Sequence, residues 1–125
     1  MGNLKTQSVA VLVVEDEPLI RIDTASFLEV AGFTVYEASN AAEAIGLLEL
    51  QDQIRLIFTD INMPGSMDGL PLAHYVRERW SPMKIIVTSG DKKMKGNDLP
   101  VGALFIEKPY HARHIAQKMK ELMAV

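Results

Sequence analysis

The 125-residue sequence predicts an α/β fold, in which a doubly wound parallel sheet of five strands carries helices on both faces. Two observations support this prediction. Short runs rich in β-branched residues alternate with segments whose apolar residues recur at helical spacing. The first such run, Val9 to Val14, is apolar at every position, which is typical of a parallel strand buried on both faces. Right-handed crossovers through the helices would then connect the strands.

After this first strand, the first half of the chain predicts two helices and two further strands. Pro18 suits the first turn of a helix and Gly32 suits its end. The apolar residues of this helix recur at helical spacing: Ile20, Phe27, Leu28 and Ala31. A second strand spans Phe33 to Tyr36. Asn40 and Glu43 resemble a capping box at the start of the second helix. Its apolar face comprises Ala41, Ala44, Ile45 and Leu48.

The second half of the chain predicts the remaining strands and helices. The third strand runs from Arg55 to Thr59 and leads into Asp60, which is followed by a turn-rich loop from Asn62 to Gly69. The third helix is marked by Ala73, Val76 and Trp80, and the last helix by Ile115, Met119 and Leu122. Strands four and five span Lys84–Thr88 and Ala103–Ile106. Between them, residues 89–102 contain three glycines and a proline, so only a short or frayed helix is expected there.

Composition narrows the possible function. The net charge of −3 argues against nucleic acid as a direct partner, because a phosphate backbone requires a basic surface. The absence of cysteine excludes disulfides, thiolate metal sites and cysteine nucleophiles. No apolar run approaches the ~20 residues that span a bilayer, and no signal-peptide pattern opens the chain. We therefore expect a cytoplasmic protein without a membrane partner.

Polar residues follow four of the five predicted strands, at the edge of the sheet where doubly wound folds place their sites. Glu15 and Asp16 follow strand one, Asp60 follows strand three, Thr88 ends strand four and Lys108 comes after strand five. Two like charges on neighbouring strands, ~4.8 Å apart, repel by roughly 3–4 kcal/mol at an effective dielectric of about 20. Lys108 supplies one compensating charge, and Mg²⁺ with oxygen ligands would supply two more. Asp60 in such a pocket can act as a nucleophile toward phosphorus, with Thr88 placed to hydrogen-bond a phosphoryl oxygen.

Taken together, these residues resemble the receiver domain of bacterial two-component response regulators over nearly the whole chain. The resemblance rests on Glu15-Asp16, on Thr-Asp-Ile-Asn-Met-Pro around Asp60, on Asp68-Gly69, on Ile-Val-Thr-Ser-Gly around Thr88, and on Lys108-Pro109-Tyr110. It implies a flavodoxin-like sheet with strand order 2-1-3-4-5. It also implies one receiver domain over residues 1–125, with a core of about 9–123, of the stand-alone type.

The resemblance further implies a mechanism. A sensor histidine kinase or a histidine phosphotransfer protein would phosphorylate Asp60 with Lys108 and Thr88 beside it. Mg²⁺ would be held by Glu15, Asp16, Asp60 and the backbone carbonyl of Asn62. Thr88 and Phe105 would form the conformational switch, and the peptide bond before Pro109 would be cis. Such a chain is a signalling switch toward an unknown downstream protein, and it catalyses only its own phosphoryl transfer and slow dephosphorylation.

Three departures from the family pattern stand out. Glu15 replaces the more common aspartate and would reach the metal through a water molecule. The loop from Pro64 to Gly69 is one residue longer than the usual form. The segment from Asp91 to Pro100 is poor in helix formers, which puts in doubt output through the helix between strands four and five. Separately, the family resemblance implies that the kinase docks on the first helix, near Ile20, Arg21 and Thr24, and on the loops at the site.

Two alternatives remain open at the level of sequence. A haloacid-dehalogenase-like phosphatase also uses an aspartate nucleophile, Mg²⁺, Thr or Ser, and Lys, but its second aspartate acts as the general acid and base. Asn62 stands at that position here and cannot take a proton from water, so a phosphorylated protein should persist. A flavodoxin-like FMN binder shares the sheet topology. It requires a phosphate-binding loop after the first strand, where Glu15, Asp16 and Glu17 would repel a phosphate.

Overall fold

The computed structural model describes residues 8–61, 69–90 and 98–124. Within these residues, strands and helices follow the order β1 Ala10–Val14, α1 Pro18–Val30, β2 Thr34–Ala38, α2 Ala41–Leu50, β3 Ile54–Asp60, α3 Gly69–Arg79, β4 Lys84–Ser89, β5 Leu104–Glu107 and α4 Ala112–Met123. The five strands form one parallel sheet in the order β2-β1-β3-β4-β5. Both the fold class and the strand order predicted from the sequence are therefore confirmed. No helix in the described ranges is long and apolar enough to cross a membrane.

The helices cover both faces of the sheet. Alternate residues of β1 point to opposite sides, so Leu12 packs toward α2 and α3, while Val13 packs toward α1 and α4. The central strands β1, β3 and β4 are almost completely buried. This burial on both faces explains why those three strands appear in the sequence as nearly continuous apolar runs.

The helix boundaries follow from local chemistry. Asn40 begins α2, with its side-chain oxygen accepting a hydrogen bond from the Glu43 backbone N–H at 2.8 Å. The Glu43 carboxylate in turn accepts from the Ser39 backbone N–H at 2.7 Å, which completes the predicted reciprocal cap one residue earlier than the usual form. Gly32 follows α1 with φ of +109°, a value that favours glycine.

The structure differs from the sequence prediction at the ends of several strands and in the buried face of α1. Strand β2 begins one residue later and extends to Ala38, because all five of its residues pair with β1. In α1, Ile20 and Phe27 lie exposed although they share the helical spacing of buried Leu28. The buried face of α1 is instead formed by Thr24, Ala25 and Leu28. Spacing alone could not show this, because Thr24 is buried through a contact with a distant part of the chain, described below.

The carboxyl end of β3 packs tightly against the start of α3. The Gly69 backbone N–H donates a hydrogen bond to the Ile61 carbonyl at 2.9 Å. A Cβ atom added at Gly69 would overlap the backbone carbonyl of Asp60. Glycine is therefore required at this position by close approach of two backbones.

We predict that Gly69→Ala lowers the free energy of unfolding by about 1–3 kcal/mol, because the added methyl group forces the Asp60 backbone to move. Gly46→Ala is the matched control. A Cβ at Gly46, inside α2, meets nothing within 4 Å, so alanine should raise the free energy of unfolding by roughly 0.5–1 kcal/mol. Urea denaturation of both variants measures this difference. Equal effects of the two substitutions would contradict the close packing at Gly69.

Candidate functional site

Three carboxylates meet at the carboxyl edge of the sheet. Glu15 and Asp16 follow β1, and Asp60 ends β3, which is the strand beside β1 in the sheet. One carboxylate oxygen from each residue lies within 4.8 Å of the others. Glu15 and Asp60 are buried, with 4% and 3% of their surface exposed, and Asp16 is half-buried. The structure thus brings together the three acidic side chains that the sequence singled out.

Lys108 reaches into the same pocket from the turn after β5. Its Nζ atom lies 2.5 Å from Asp60 Oδ2 and 3.8 Å from Glu15 Oε1. The backbone N–H of Lys108 donates to the Ser89 carbonyl at 2.9 Å, which fixes the turn against the end of β4. The peptide bond between Lys108 and Pro109 is cis, as the family resemblance implied.

Among the described residues, one lysine faces three carboxylates, so the side chains described at this pocket leave an excess of negative charge. Burial raises the pKa of Glu15 to about 7, against the opposing effect of the hydrogen bond from the Glu17 backbone N–H and with a further rise from Asp60. Burial alone would lower the pKa of Lys108, but the hydrogen bond and charge of Asp60 outweigh burial and raise that pKa. The ammonium group therefore stays charged, and the Glu15 carboxyl takes up a proton more readily than a free glutamate does.

Oxygen ligands of this kind suit a hard divalent cation. Glu15, Asp16 and Asp60 offer only carboxylate oxygens, two of them in a largely buried setting. Mg²⁺ is typically bound by one or two carboxylates while it keeps several waters. The donor set therefore fits Mg²⁺. Asn62, whose backbone carbonyl the resemblance adds to this set, lies outside the described residues, as does the unusual loop from Pro64 to Asp68.

Thr88 lies beside Asp60 on the neighbouring strand. The two residues are in register between β3 and β4, and Thr88 is 1% exposed. Its Oγ1 atom is buried and has no hydrogen-bond partner in the described part of the chain. A buried hydroxyl without a partner costs about 1–3 kcal/mol. Thr88 therefore has an unused donor next to the carboxylate that is proposed to react.

Phe105, the second residue of the predicted switch, lies on β5 opposite Val87 of β4. Its side chain is half-buried and packs against the core on the α2–α3 face of the sheet. Thr88 is one residue further along β4 than Val87. The two predicted switch residues therefore lie on adjacent strands.

Arg21 has a structural role that its sequence position did not reveal. Its Nη1 atom donates to the Glu15 backbone carbonyl at 3.0 Å, and its Nε atom donates to Glu37 Oε1 at 3.3 Å. Arg21 thus fixes the turn after β1 instead of standing free for a partner. One indication of this role was present in the sequence: Arg21 lies one helical turn after Glu17, close to the acidic run from Glu15 to Glu17.

A groove opens between α1 and the turn that carries Lys108. It has a volume of about 820 Å³, and its walls include Leu19, Ile20, Thr24, Lys108 and Tyr110. Leu19 and Ile20 are exposed, at 79% and 40%, whereas Thr24 is buried. Of the three residues expected on the docking surface, only Ile20 is therefore strongly accessible.

A parallel 2-1-3-4-5 sheet with an acidic pocket and one lysine at its carboxyl edge has the features of the receiver class that the sequence resembles. Comparison with known proteins agrees. A sequence model of the response regulator receiver domain matches residues 11–120. The aerobic respiration control protein ArcA of Escherichia coli K12 is 34% identical over 120 residues, which cover 94% of this chain and 50% of ArcA. The sensor kinase CckA of Brucella abortus is 32% identical over 120 residues, which cover 93% of this chain and 13% of CckA.

Solved structures show the same similarity. The crystal structure of a response regulator receiver protein from Sinorhizobium medicae superposes with a TM-score of 0.86 at 28% identity, covering 95% of this chain and 97% of that one. The chain therefore belongs to the response regulator receiver domain family. It spans about half the length of ArcA and a smaller share of CckA. The comparisons support phosphorylation-dependent two-component signalling, and they favour neither the phosphatase nor the flavin binder.

The raised pKa of Glu15 predicts how stability depends on pH in metal-free protein. The Glu15 carboxyl has a pKa of 4.5 as a free side chain and about 7 in the folded state. Between these values the folded state binds more protons than the unfolded state, so the free energy of unfolding falls as pH rises from about 4.5 through 7. Glu15→Gln has no such proton to lose, and its fall should be smaller. Urea denaturation in the presence of a chelator across this range measures both slopes, and equal slopes would contradict the assignment.

Proposed function

We propose that the chain is a signalling switch that accepts a phosphoryl group on Asp60. The donor is a sensor histidine kinase or a histidine phosphotransfer protein, and the reaction depends on Mg²⁺. The observation that carries this proposal is the buried Asp60 carboxylate, hydrogen-bonded at 2.5 Å by Lys108 within a cluster of two further carboxylates. A surface aspartate has neither the neighbouring ammonium nor the cation-binding neighbours that phosphoryl transfer needs.

The transfer itself requires little covalent chemistry from the protein. A carboxylate oxygen of Asp60 attacks the phosphorus of a phosphohistidine, the bond between nitrogen and phosphorus breaks, and its electron pair returns to the imidazole ring. The Lys108 ammonium lies where it can neutralise an oxygen of the transferring group, 2.5 Å from Asp60. Its raised pKa keeps it charged throughout the physiological range.

Glu15, Asp16 and Asp60 would hold the Mg²⁺, together with the Asn62 backbone carbonyl that the resemblance adds. When bound, the ion neutralises charge on the phosphoryl oxygens. The protein positions this set through the Arg21 hydrogen bond to the Glu15 carbonyl and through the Glu17 backbone N–H, which donates to Glu15 Oε2 at 3.1 Å. Both contacts restrict the turn that follows β1.

Phosphorylation would be read out by Thr88 and Phe105. The Thr88 hydroxyl gains a hydrogen-bond acceptor when a phosphoryl oxygen lies beside Asp60, so the phosphorylated protein favours a position of Thr88 closer to the site. As Thr88 moves toward the site, half-buried Phe105 on the neighbouring strand turns inward. Because phenylalanine has no hydroxyl, this part of the switch acts through steric packing.

The rest of the proposal concerns partners and location. The docking surface for the phosphodonor, expected near Ile20, Arg21 and Thr24, is centred on the exposed apolar residues Leu19 and Ile20, which line the groove beside Lys108. The signal passes to a downstream protein, without direct binding of nucleic acid or of a membrane, and the protein acts in the cytoplasm. The chain catalyses its own phosphoryl transfer and slow dephosphorylation, and it has no other substrate to turn over.

We predict that acetyl phosphate with Mg²⁺ adds one phosphoryl group to the wild-type protein and none to Asp60→Asn. The amide of asparagine is not a nucleophile toward phosphorus, whereas the rest of the pocket is preserved. Intact-mass measurement detects the added group. Asp52→Asn, at an exposed turn before β3, is the matched control and should be labelled as the wild type is. Labelling that persists in Asp60→Asn would show that the acceptor is another residue.

We further predict that Asp16→Ala weakens Mg²⁺ binding by at least about tenfold, since even loss of an outer partner of a metal ligand costs about 10- to 100-fold in affinity. Titration with Mg²⁺, followed by the shifts of backbone amide resonances, gives the dissociation constant. Asp52→Ala serves as the control for removal of a surface charge. An unchanged Mg²⁺ affinity in Asp16→Ala would remove Asp16 from the metal site.

A further inference from the structure

The turn that carries Lys108 is tied to α1 by a pair of hydroxyl groups. Tyr110, two residues after Lys108, places its hydroxyl 3.2 Å from Thr24 Oγ1. Thr24 is 3% exposed and belongs to the buried face of α1. An apolar residue could occupy such a position equally well as far as packing is concerned. The burial of a hydroxyl there is compensated by the hydrogen bond to Tyr110.

The ring of Tyr110 is held from a second side. It contacts Phe58 edge to face, with ring centroids 5.3 Å apart and planes at 82°. Phe58 lies on β3, two residues before Asp60. Tyr110 therefore bridges α1 and the strand that ends in Asp60. Burial raises the pKa of Tyr110, so its hydroxyl stays protonated and can donate to Thr24.

These contacts bear on the position of Lys108. The lysine side chain has many rotamers, and holding it in one of them costs up to about 2 kcal/mol of conformational entropy. Its backbone is fixed on one side by the Ser89 carbonyl, at 2.9 Å from the Lys108 nitrogen. On the other side, Pro109 restricts the chain and Tyr110 anchors it. Release of the Tyr110 hydroxyl would loosen one of the two supports of the backbone from which Lys108 extends.

We propose that the Thr24–Tyr110 hydrogen bond is a positioning contact for phosphoryl transfer, which keeps the Lys108 ammonium against Asp60. This inference rests on the proposed function, in which Asp60 is the acceptor. Tyr110 acts through Lys108 and touches no reacting atom. Because Thr24 and Tyr110 also line the groove beside Leu19 and Ile20, the contact joins the expected docking surface to the reactive pocket.

The test compares the rates at which acetyl phosphate labels Tyr110→Phe, Thr24→Val and the double variant at saturating Mg²⁺. Tyr110→Phe keeps the ring contact with Phe58 and removes only the hydroxyl, and Thr24→Val keeps the shape of the side chain. Each single variant should lower the rate at saturating phosphodonor by about three- to tenfold, the usual effect of one hydrogen bond. The double variant should be no slower than the slower single variant, because both remove the same contact. Thr24→Ser, which keeps the hydroxyl, should retain the wild-type rate.

Lys108→Ala supplies the measurement that separates positioning from general stability. If Tyr110 acts through Lys108, Tyr110→Phe should cause no further slowing in a Lys108→Ala protein. The Mg²⁺ affinity of Tyr110→Phe should equal that of the wild type, because the Tyr110 hydroxyl is bonded to Thr24 and the three carboxylates of the cluster come from other residues. Tyr75→Phe, on α3, is the control for loss of a tyrosine hydroxyl and should leave the rate unchanged.

Two results would overturn the inference: a wild-type rate in folded Tyr110→Phe and Thr24→Val, or slowing by Tyr110→Phe that is undiminished in Lys108→Ala. Urea denaturation establishes that each variant is folded, and Thr24→Val stands in if Tyr110→Phe does not fold. Failure of the proposed function would look different. In that case the wild type would not be labelled, or Asp60→Asn would be. Labelling at Asp60 with no effect of either hydroxyl would reject the positioning contact alone.

Discussion

Repulsion among three carboxylates is the constraint on which the rest of the site depends. Glu15, Asp16 and Asp60 have oxygens within 4.8 Å of one another, and two of these side chains are almost fully buried. Such a cluster opposes folding unless positive charge is supplied. Lys108 supplies part of it, but the pKa of Glu15 still rises to about 7, mainly because this carboxyl is buried and further because Asp60 is close. The three carboxylates therefore offer oxygen ligands that fit an additional cation. Under the proposed function, this crowding explains why Asp60 is buried, since a lone surface carboxylate would have no cation-binding neighbours to activate it.

The topology of the sheet determines which residues can take part. In the order β2-β1-β3-β4-β5, the ends of β1 and β4 both adjoin β3, which places the acidic pair and Thr88 on either side of Asp60. Strand β5 lies two strand spacings from β3, about 10 Å away. Only a long side chain can cross that distance, and lysine, with its four-carbon stem, does so. The position of the lysine ammonium group then depends on the backbone from which the side chain extends. The conformation of the turn after β5 is important for this reason.

The sequence predicted the fold and the residues that gather at the site because both depend on simple patterns. Buried parallel strands are continuous apolar runs, and each run ends at a polar residue on the same edge of the sheet. The face of α1 was less accessible to such reasoning. Ile20 and Phe27 are apolar yet exposed, whereas Thr24 is buried and bonded to Tyr110. This burial could not be predicted from local spacing, because Tyr110 lies 86 residues away in the sequence. Arg21 likewise turns inward to the Glu15 carbonyl, a backbone group that no sequence pattern shows. Contacts of side chains with distant residues or with backbone atoms therefore mark the limit of prediction here.

Two buried threonine hydroxyls differ in whether they have a hydrogen-bond partner, and the difference suits one to holding the fold and the other to a conformational change. Thr24 is satisfied by Tyr110, and its hydrogen bond ties α1 to the turn of Lys108. Thr88 has no such partner in the described part of the chain, although it is equally buried and lies in register with Asp60. An unsatisfied hydroxyl raises the free energy of the resting state by about 1–3 kcal/mol, which a new acceptor beside Asp60 would recover. A ligand shifts a conformational equilibrium only by its differential interaction with the two states. Under the proposed mechanism, the missing hydrogen bond of Thr88 is that difference. It gives phosphorylation a direct energetic effect on Thr88, which lies on β4, next to the strand that carries Phe105.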